Sequence, residues 1–370
     1  MMNISQVNLY HLRMPLRTHF ETSFGRIYER DCLLLEVHAD GITGYGECVA
    51  DRDPGYSSET ALTAWHVLRD FIIPALLGQD IVDPEDFQRQ VSHVSGHLMA
   101  KAGLEMALWD LMGKQDGRSL RQLLGGKRQR VEVGVSVGLQ DSVDELVDVV
   151  AGYLESGYGR IKIKIKPGRD VGDTGALRNA YPELRLQVDA NSAYSLETAS
   201  SLLPLDDLDL LLIEQPLADD DLWDHSRLQR QFNTALCLDE SIISSRHARQ
   251  ALEMGACRII NIKAGRVGGL SQAVAIHNLC YEQGVPVWCG GMLETGVGRA
   301  ANLALASLPG FCLPGDISAS ERYYLNDITH EQFVLNTDST ITVPDTPGLG
   351  VSIDREALEH FTLDTLTLNP

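Results

Sequence analysis

The sequence has no paired cysteines and few positive charges relative to its negative ones. Its seven cysteines are scattered, and none forms a Cys-x-x-Cys pair, which argues against both a disulfide framework and a zinc knuckle. Lys and Arg number 31 against 51 Asp and Glu, which gives a formal net charge of −20. Because such a field repels phosphate backbones and anionic lipid headgroups, we expect no nucleic acid and no membrane among the partners.

The N-terminal segment also lacks the features of a targeting signal. Residues 1–14 contain no basic stretch followed by an apolar one, and no apolar run in the chain approaches the roughly 18 residues of a membrane span. The first strand is not followed by Gly-x-Gly-x-x-Gly, which disfavours an open dinucleotide-binding sheet. We therefore expect a cytoplasmic protein.

The composition that is present is that of a globular protein, with 44% hydrophobic and 22% charged residues in 370. The first 50 residues predict three strands, at Ile4–Leu12, Cys32–Val37 and Tyr45–Val49. From Ser57 the spacing becomes helical, starting with a Ser-x-Glu capping pattern, and a second, buried helix ends at Gly117. We interpret residues 1–125 as an α+β domain.

Strand and helix patterns alternate after Lys127. Apolar runs such as VEVGVSVG, LRLQVD and VPVWCGG are each followed by a helical stretch, and this alternation predicts a parallel sheet. Residues 131–320, at about 25 per βα unit, supply close to the eight units of a closed barrel. An open doubly wound sheet is the alternative. We place the barrel in residues 126–322 and expect residues 323–370 to return to the first domain.

Five charged residues recur at the period of this repeat. Each ends an apolar run, and the successive spacings are 25, 25, 25 and 24 residues: Lys164, Asp189, Glu214, Asp239 and Lys263. A single charge after a strand commonly begins a solvated loop. Five in register indicate a site at the carboxyl ends of the barrel strands, where barrel enzymes bind their substrates.

The three carboxylates of this set suggest a metal site. Asp189, Glu214 and Asp239 converge from adjacent strands, and without a cation they would repel and raise one another's pKa. A hard divalent ion resolves the conflict, and all-oxygen ligands suit Mg²⁺, with Mn²⁺ also possible. Zinc is disfavoured because no His or Cys stands at these positions.

The strand RIKIKIK orients the lysines. With a period of two, Lys162, Lys164 and Lys166 point towards the barrel axis and the isoleucines between them point towards the helices. An amphipathic edge strand with solvent-facing lysines is the alternative. Lys263 arrives from the opposite side, so Lys164 and Lys263 would flank a metal-bound substrate. We expect a lowered pKa for a lysine beside a metal and a second ammonium, which would let it act as a base.

Two opposed bases around a metal-chelated carboxylate suit one reaction type. They would remove a proton from the carbon next to the carboxylate, with the ion stabilising the resulting enediolate. The substrate is then a small-molecule carboxylate.

These motifs resemble the enolase superfamily, muconate-lactonising subgroup. The segments FETSFG, GYGECVA, DANSAY, EQPL, LDES, IKAGRVGGL and GGMLETGVGRAAN are similar to the N-succinylamino acid racemase and o-succinylbenzoate synthase family. The resemblance implies a (β/α)7β TIM-like barrel beneath an α+β capping domain built from both termini. It implies that Asp189, Glu214 and Asp239 bind Mg²⁺, that Lys164 and Lys263 are the acid/base pair and that Lys162 stabilises the enediolate charge.

The resemblance also assigns substrate contacts. Two loops of the cap, residues 16–26 and 49–56, carry aromatic side chains that would close over the substrate or else anchor the loops locally: Phe20, Phe24 and Tyr56. Three polar residues at strand ends are candidate hydrogen-bond partners of the substrate: Ser136, Asn191 and Asn261. Gly291 and Met292, in the segment 290–298, would approach the ligand closely.

Several activities of the superfamily remain open. A mandelate-type racemase needs a His base after a late strand, and VPVWCGG ends without one. A dipeptide epimerase usually carries Asp-x-Asp where this chain has Asp316-Ile317-Ser318. Muconate lactonisation uses the same lysines, and a metal-binding barrel without activity is the non-enzymatic alternative.

Between racemase and synthase the residues do not decide. Racemisation needs Lys164 and Lys263 on opposite faces of the substrate, whereas the syn-elimination of the synthase, a menaquinone-pathway reaction, can use Lys164 for both proton steps. Lys166 departs from the family pattern, with an effect on ligand preference that the sequence does not give. We expect a homo-oligomer.

Overall fold

The computed structural model describes the whole chain, Met1–Pro370. The strands are β1 Met2–Thr22, β2 Gly25–Ala39, β3 Ile42–Cys48, β4 Asp80–Ile81, β5 Arg130–Glu132, β6 Val135–Val137, β7 Arg160–Lys164, β8 Arg185–Asp189, β9 Ile213–Glu214, β10 Leu236–Leu238, β11 Ile259–Ile262, β12 Val287–Cys289, β13 Thr340–Thr342 and β14 Thr362–Leu368. The α-helices are α1 Ala61–Val67, α2 Pro84–Gln90, α3 Leu98–Asp116, α4 Leu120–Leu124, α5 Val143–Glu155, α6 Val171–Ala180, α7 Leu222–Gln229, α8 Ser245–Met254, α9 Ala264–Val267, α10 Leu270–Glu282, α11 Gly296–Ala306 and α12 Arg355–Phe361. No helix among them is both long and apolar enough to cross a lipid bilayer.

An antiparallel sheet forms the cap. Its strand order is β14-β1-β2-β3, and the C-terminal strand β14 pairs with β1 from Val7↔Leu368 onwards. The cap is thus built from both termini. β1 runs on well past the predicted end at Leu12 because it continues with β2 as a hairpin that closes at Thr22↔Gly25.

The helices of the cap differ in part from the prediction. The first begins at Ala61 rather than at Ser57, because Thr60 is the N-cap and exchanges side-chain hydrogen bonds with Thr63. The second, α3, is buried along most of its length and ends at Gly117, as predicted. Gly117 has the left-handed conformation that is common after the last turn of a helix. Helix α3 packs closely on β3: a side chain at Gly46 would meet the backbone of α3.

Seven parallel strands form the barrel sheet, in the order β6-β7-β8-β9-β10-β11-β12. The eighth position is filled by residues 311–316, where Phe311 bridges to Val287 and Gly315 bridges to Val133, both in parallel. Because this segment joins the two ends of the sheet, the fold is a closed (β/α)7β barrel and the open-sheet alternative is wrong.

Cap and barrel share one apolar core. The larger cluster of 67 buried residues includes Leu12 and Met14 of β1 and Cys32 and Leu34 of β2 together with the barrel residues. A second cluster of 27 residues lies within the cap. The two parts therefore pack directly on each other.

The strand β7 tests the lysine pattern. It lies between β6 and β8, so the edge-strand alternative is wrong. Lys162 and Lys164 are buried, whereas Lys166 lies beyond the strand with 43% of its side chain exposed, 3.9 Å from Glu21. The prediction that Lys166 faces the barrel axis is wrong, because the regular strand ends at Lys164 and Lys166 pairs with Arg169 across the turn at Pro167 and Gly168.

Candidate active site

A cavity of about 250 Å³ lies between the carboxyl ends of the barrel strands and the cap hairpin. Its polar floor includes Lys162, Lys164 and Lys263, and its upper wall includes Phe20 and Phe24 from the β1–β2 hairpin. The cavity is therefore enclosed by both parts of the molecule, with lysines on the barrel side and both aromatic and charged side chains, such as Asp51 and Asp53, on the cap side.

The five charged residues in register occupy five consecutive strand ends. Asp189 and Glu214 end β8 and β9 and are lateral neighbours in the sheet, and Asp239 directly follows β10. Lys164 stands on one flank, at the end of β7, and Lys263 on the other, directly after β11. This order places the carboxylates between the two lysines.

The first flank is held by short ion pairs. Lys164 Nζ donates to Asp189 Oδ2 at 2.6 Å and to Asn191 Oδ1 at 2.7 Å. Lys162 Nζ lies 3.0 Å from Glu214 Oε2 and 2.6 Å from Asp316 Oδ2. These contacts fix both lysines of β7 on the cavity floor.

The second flank, around Lys263, is also held by short ion pairs. Lys263 Nζ donates to Asp239 Oδ2 at 2.7 Å, and Arg266 contacts the other oxygen of the same carboxylate. The Tyr56 hydroxyl from the cap donates to Asp239 Oδ1 at 2.9 Å, and Lys263 Nζ lies 4.5 Å from the centre of the Tyr56 ring. A residue of the cap, Tyr56, is therefore in direct contact with two charged residues of the barrel site.

The pKa values of these groups are strongly shifted. Burial raises the pKa of Glu214, and its neighbour Asp189 raises it further. Burial disfavours the charge of Lys263, but Tyr56, Glu240 and nearby carboxylates outweigh it and raise the pKa of Lys263 above its usual value. The lowering expected for a lysine beside a bound metal ion and a second ammonium stays a prediction, since the closest neighbours of Lys263 here are anionic partners.

The carboxylate set matches a divalent ion in its chemistry but not in its present rotamers. Asp189, Glu214 and Asp239 are each at most 1% exposed, and oxygen donors from three neighbouring strands suit Mg²⁺. As the side chains lie, lysine and arginine engage them and no group of three converges as metal ligands. A bound ion would take the place of these contacts.

Most of the predicted substrate residues line the cavity: Phe20, Phe24, Tyr56, Ser136, Asn191, Gly291 and Met292. The Ser136 hydroxyl is buried without a hydrogen-bond partner, which leaves it free for a ligand. Asn261 does not line the cavity. It is fully buried and donates to Glu214 Oε1 at 2.7 Å, so the structure places it behind a carboxylate rather than against the substrate.

Two buried arginines were missed by the sequence reasoning. Arg160 is fully buried and lies 2.7 Å from Asp316 Oδ1, and Arg266 holds Asp239. The alternation of RIKIKIK contains the signal for Arg160, since it shares the parity of Lys162. Nothing in the spacing of IKAGRVGGL distinguishes Arg266 from a surface residue.

Comparisons with known proteins agree with this architecture. Residues 4–125 match the family "Mandelate racemase / muconate lactonizing enzyme, N-terminal domain", and residues 145–357 match "Enolase C-terminal domain-like". The chain is 50% identical to an o-succinylbenzoate synthase of Geobacillus stearothermophilus, over 97% of this chain and 96% of that one. It is 48% identical to an N-succinylamino acid racemase of Thermus thermophilus, over 98% of each.

A solved structure shows the same fold. An enolase superfamily member from Listeria innocua superposes with a TM-score of 0.96 at 41% identity, and the match covers 100% of both chains. The named relatives are both enzymes, a lyase and an isomerase.

Proposed function

Because the chain belongs to the mandelate racemase and muconate lactonizing enzyme family of the enolase superfamily, we propose that it removes the proton alpha to a carboxylate through an enediolate. Its activity is that of an N-succinylamino acid racemase, an o-succinylbenzoate synthase, or both. The observation that carries the proposal is the placement of Lys164 and Lys263 on opposite flanks of three buried carboxylates.

In this proposal each lysine has a separate face of the substrate. Lys164 and Lys263 exchange protons with the alpha carbon from opposite sides, so either enantiomer is deprotonated by one and reprotonated by the other. Lys162 places its ammonium beside the carboxylate oxygens, where negative charge develops. Tyr56 helps to orient Lys263, because its hydroxyl contacts both the lysine and Asp239.

Asp189, Glu214 and Asp239 would hold Mg²⁺, or alternatively Mn²⁺. Members of the superfamily depend on divalent metal, and the bound ion would neutralise charge on the substrate carboxylate.

The charge of the site favours a substrate with two carboxylates. The ion-paired cluster at the strand ends contains four acidic and five basic side chains: Asp189, Glu214, Asp239 and Asp316 with Arg160, Lys162, Lys164, Lys263 and Arg266. A divalent ion adds two positive charges, which a dianion offsets. An N-succinylamino acid carries two carboxylates and meets this condition.

The same charges disfavour a dipeptide. Asp316 is the acid that could hold a substrate ammonium, but it already pairs with Arg160 and Lys162, and these two cations lower the pKa of Asp316 to about 2 despite its burial. A free ammonium would have to compete with both.

A metal-binding barrel without activity is also disfavoured. All five strand-end positions, from Lys164 to Lys263, carry side chains that can bind metal or transfer protons.

Proton NMR in D₂O with Mg²⁺ tests the proposal. Loss of the alpha-proton signal of N-succinyl-L-amino acids, together with loss of optical rotation, is expected for the racemase. Conversion of the cyclohexadiene precursor to o-succinylbenzoate is expected for the synthase. No change in either substrate with metal-loaded protein would contradict the proposed substrate class, and a panel of dipeptides and lactones would follow.

We further propose a cytoplasmic homo-oligomer without nucleic-acid or membrane partners. The division into residues 1–125, 126–322 and 323–370 stays a prediction.

A further inference from the structure

The segment 290–295 forms one wall of the cavity, and hydrogen bonds to its successive backbone carbonyl groups fix its position. Arg30 from the cap donates to the Met292 carbonyl at 3.2 Å, and the Tyr324 hydroxyl donates to the Leu293 carbonyl at 2.6 Å. Leu293 has a φ of 59°, a left-handed conformation that is costly for a residue with a side chain. Such a conformation persists only where its surroundings impose it.

The end of this segment is fixed by a carboxylate of the cap. Glu47 on β3 is 1% exposed and accepts hydrogen bonds from the Thr295 backbone at 3.1 Å, the Thr295 hydroxyl at 2.7 Å and the Gly298 backbone at 2.9 Å. These groups form the start of α11. A side chain at Gly298 would lie 2.8 Å from Glu47 Oε2, so the glycine permits the contact.

Glu47 has no cationic partner within ion-pair distance. Its charge is met by backbone N–H groups at the start of α11, where a helix favours negative charge. Three donors therefore converge on one side chain that belongs to another part of the fold. The position of the Met292–Leu293 wall depends on where that carboxylate stands.

We propose that Glu47 is a positioning residue that couples the docked cap to the wall of the substrate cavity and thereby sets which amino-acid side chains fit. This inference rests on the proposed function and deepens it. Glu47 lies outside the cavity and acts through Thr295 and the segment before it. The lysines and the carboxylates of the barrel do not depend on this contact.

The test compares Glu47→Gln with wild type as the full chain in Mg²⁺. All three hydrogen bonds are accepted by Glu47 Oε2, and the amide oxygen can occupy its place. At pH 8, above the pKa of about 7 to which burial raises Glu47, the carboxylate is charged and the amide is not, so the hydrogen bonds to the amide are weaker. Hydrogen–deuterium exchange of peptides covering residues 290–298 should become at least tenfold faster. Glu105→Gln is the matched control, because Glu105 is an equally buried cap carboxylate that faces Ser271 at the start of α10 instead. It should leave the exchange of 290–298 unchanged.

A kinetic arm separates positioning from loss of chemistry. Alpha-proton exchange into D₂O is measured with N-succinylglycine, which has no side chain, and with N-succinylphenylalanine. We expect Glu47→Gln to raise KM about tenfold for the phenylalanine substrate and to leave kcat for the glycine substrate near wild type. An equal loss for both substrates, or wild-type exchange in residues 290–298, would overturn the inference.

Two further outcomes are kept distinct. If Glu47→Gln fails to fold, Glu47→Asp takes its place, since the shorter side chain withdraws the carboxylate from Thr295 and Gly298 while leaving its charge. If the wild type exchanges neither substrate, the proposed function is overturned, and the deuterium-exchange arm still decides whether Glu47 holds the segment.

Discussion

Two sets of carboxylates in this molecule are equally buried but have different neighbours. Those at the barrel-strand ends, such as Asp189 and Asp239, meet lysine and arginine side chains. Those at the seam between cap and barrel, Glu47 and Glu105, meet backbone N–H groups at the starts of α11 and α10. The burial of a carboxylate alone therefore does not identify an active site.

The neighbours determine what each set can do. A lysine ammonium beside a carboxylate can release and regain a proton. Its contact with the carboxylate can also be replaced by one with a metal ion or a substrate. Backbone N–H groups carry no exchangeable charge and hold a carboxylate in one place. We expect changes at the strand ends to affect the reaction itself and changes on the cap side to affect substrate selection and stability.

The largest effect is expected from Lys263→Ala. The variant should lose racemisation of both enantiomers by roughly 10²–10⁴-fold, because one face of the substrate no longer has a general acid/base. Polarimetry with N-succinyl-L- and D-amino acids measures it. Lys166→Ala is the control, since Lys166 is an exposed lysine at the end of the same lysine-rich strand segment as Lys164, and it should racemise at close to the wild-type rate. Full racemisation by Lys263→Ala would refute the two-base assignment.

Glu214→Gln should weaken metal binding. The central carboxylate of the three is lost, and we expect the Mg²⁺ affinity to fall by roughly 10- to 100-fold or more, with activity restored in part at high Mg²⁺. Isothermal titration calorimetry gives the affinity. Glu105→Gln is the matched control, because Glu105 is an equally buried carboxylate that contacts the start of α10 instead of the strand ends. Equal Mg²⁺ affinity in Glu214→Gln and wild type would exclude Glu214 as a ligand.

Met292→Ala should change selectivity rather than chemistry. Met292 lines the cavity on the side towards the cap, so its truncation should lower kcat/KM for N-succinyl substrates with large apolar side chains by about tenfold, within the range for lost methylene contacts. Exchange of N-succinylglycine should be unaffected. Phe71→Ala, which removes an exposed aromatic of the cap away from the cavity, should change neither. A loss shared by all substrates would show that the wall supports the reaction itself.

The last prediction concerns the stability of the contact between cap and barrel rather than activity. Burial raises the pKa of Glu105 from 4.5 to about 7. The folded state therefore binds a proton more tightly than the unfolded state, and the resulting stability is fully present below pH 4.5 and is lost as the pH rises through about 7. This contribution is about 3 kcal/mol, taken from the shift in pKa.

Urea unfolding of wild type and Glu105→Gln at pH 5 and pH 8 isolates this group. The amide cannot ionise, so the variant should lose less stability than wild type between the two pH values. Parallel pH dependence in the two proteins would show that Glu105 keeps an ordinary pKa.

The sequence predicted well where the strand-end residues lie, because their positions follow from periodicity. Equal spacing along a βα repeat places Lys164 through Lys263 on one rim, and the alternation within β7 turns Lys162 inward. The same alternation failed at Lys166 because the strand had ended. Asn261 was placed on the rim correctly, but its side chain turns to Glu214, and rotamers are not given by spacing.

The cap side was harder to predict. Glu47 lies in the segment GYGECVA, but its partner Thr295 is 248 positions away, and no local pattern connects them. The hydroxyl of Tyr56 likewise contacts Asp239 rather than only the substrate region. Such contacts depend on how the cap docks on the barrel, which is set by packing over the whole shared core.

The most direct measurement of the two-base claim is alpha-proton exchange with single enantiomers in D₂O. Wild type should exchange N-succinyl-L- and N-succinyl-D-amino acids alike. Lys164→Ala and Lys263→Ala should each exchange one enantiomer, with retention of configuration, and the two variants should prefer opposite enantiomers, because each keeps the base on one face. Exchange of both enantiomers by either variant would contradict the assignment of Lys164 and Lys263 to opposite faces of the substrate.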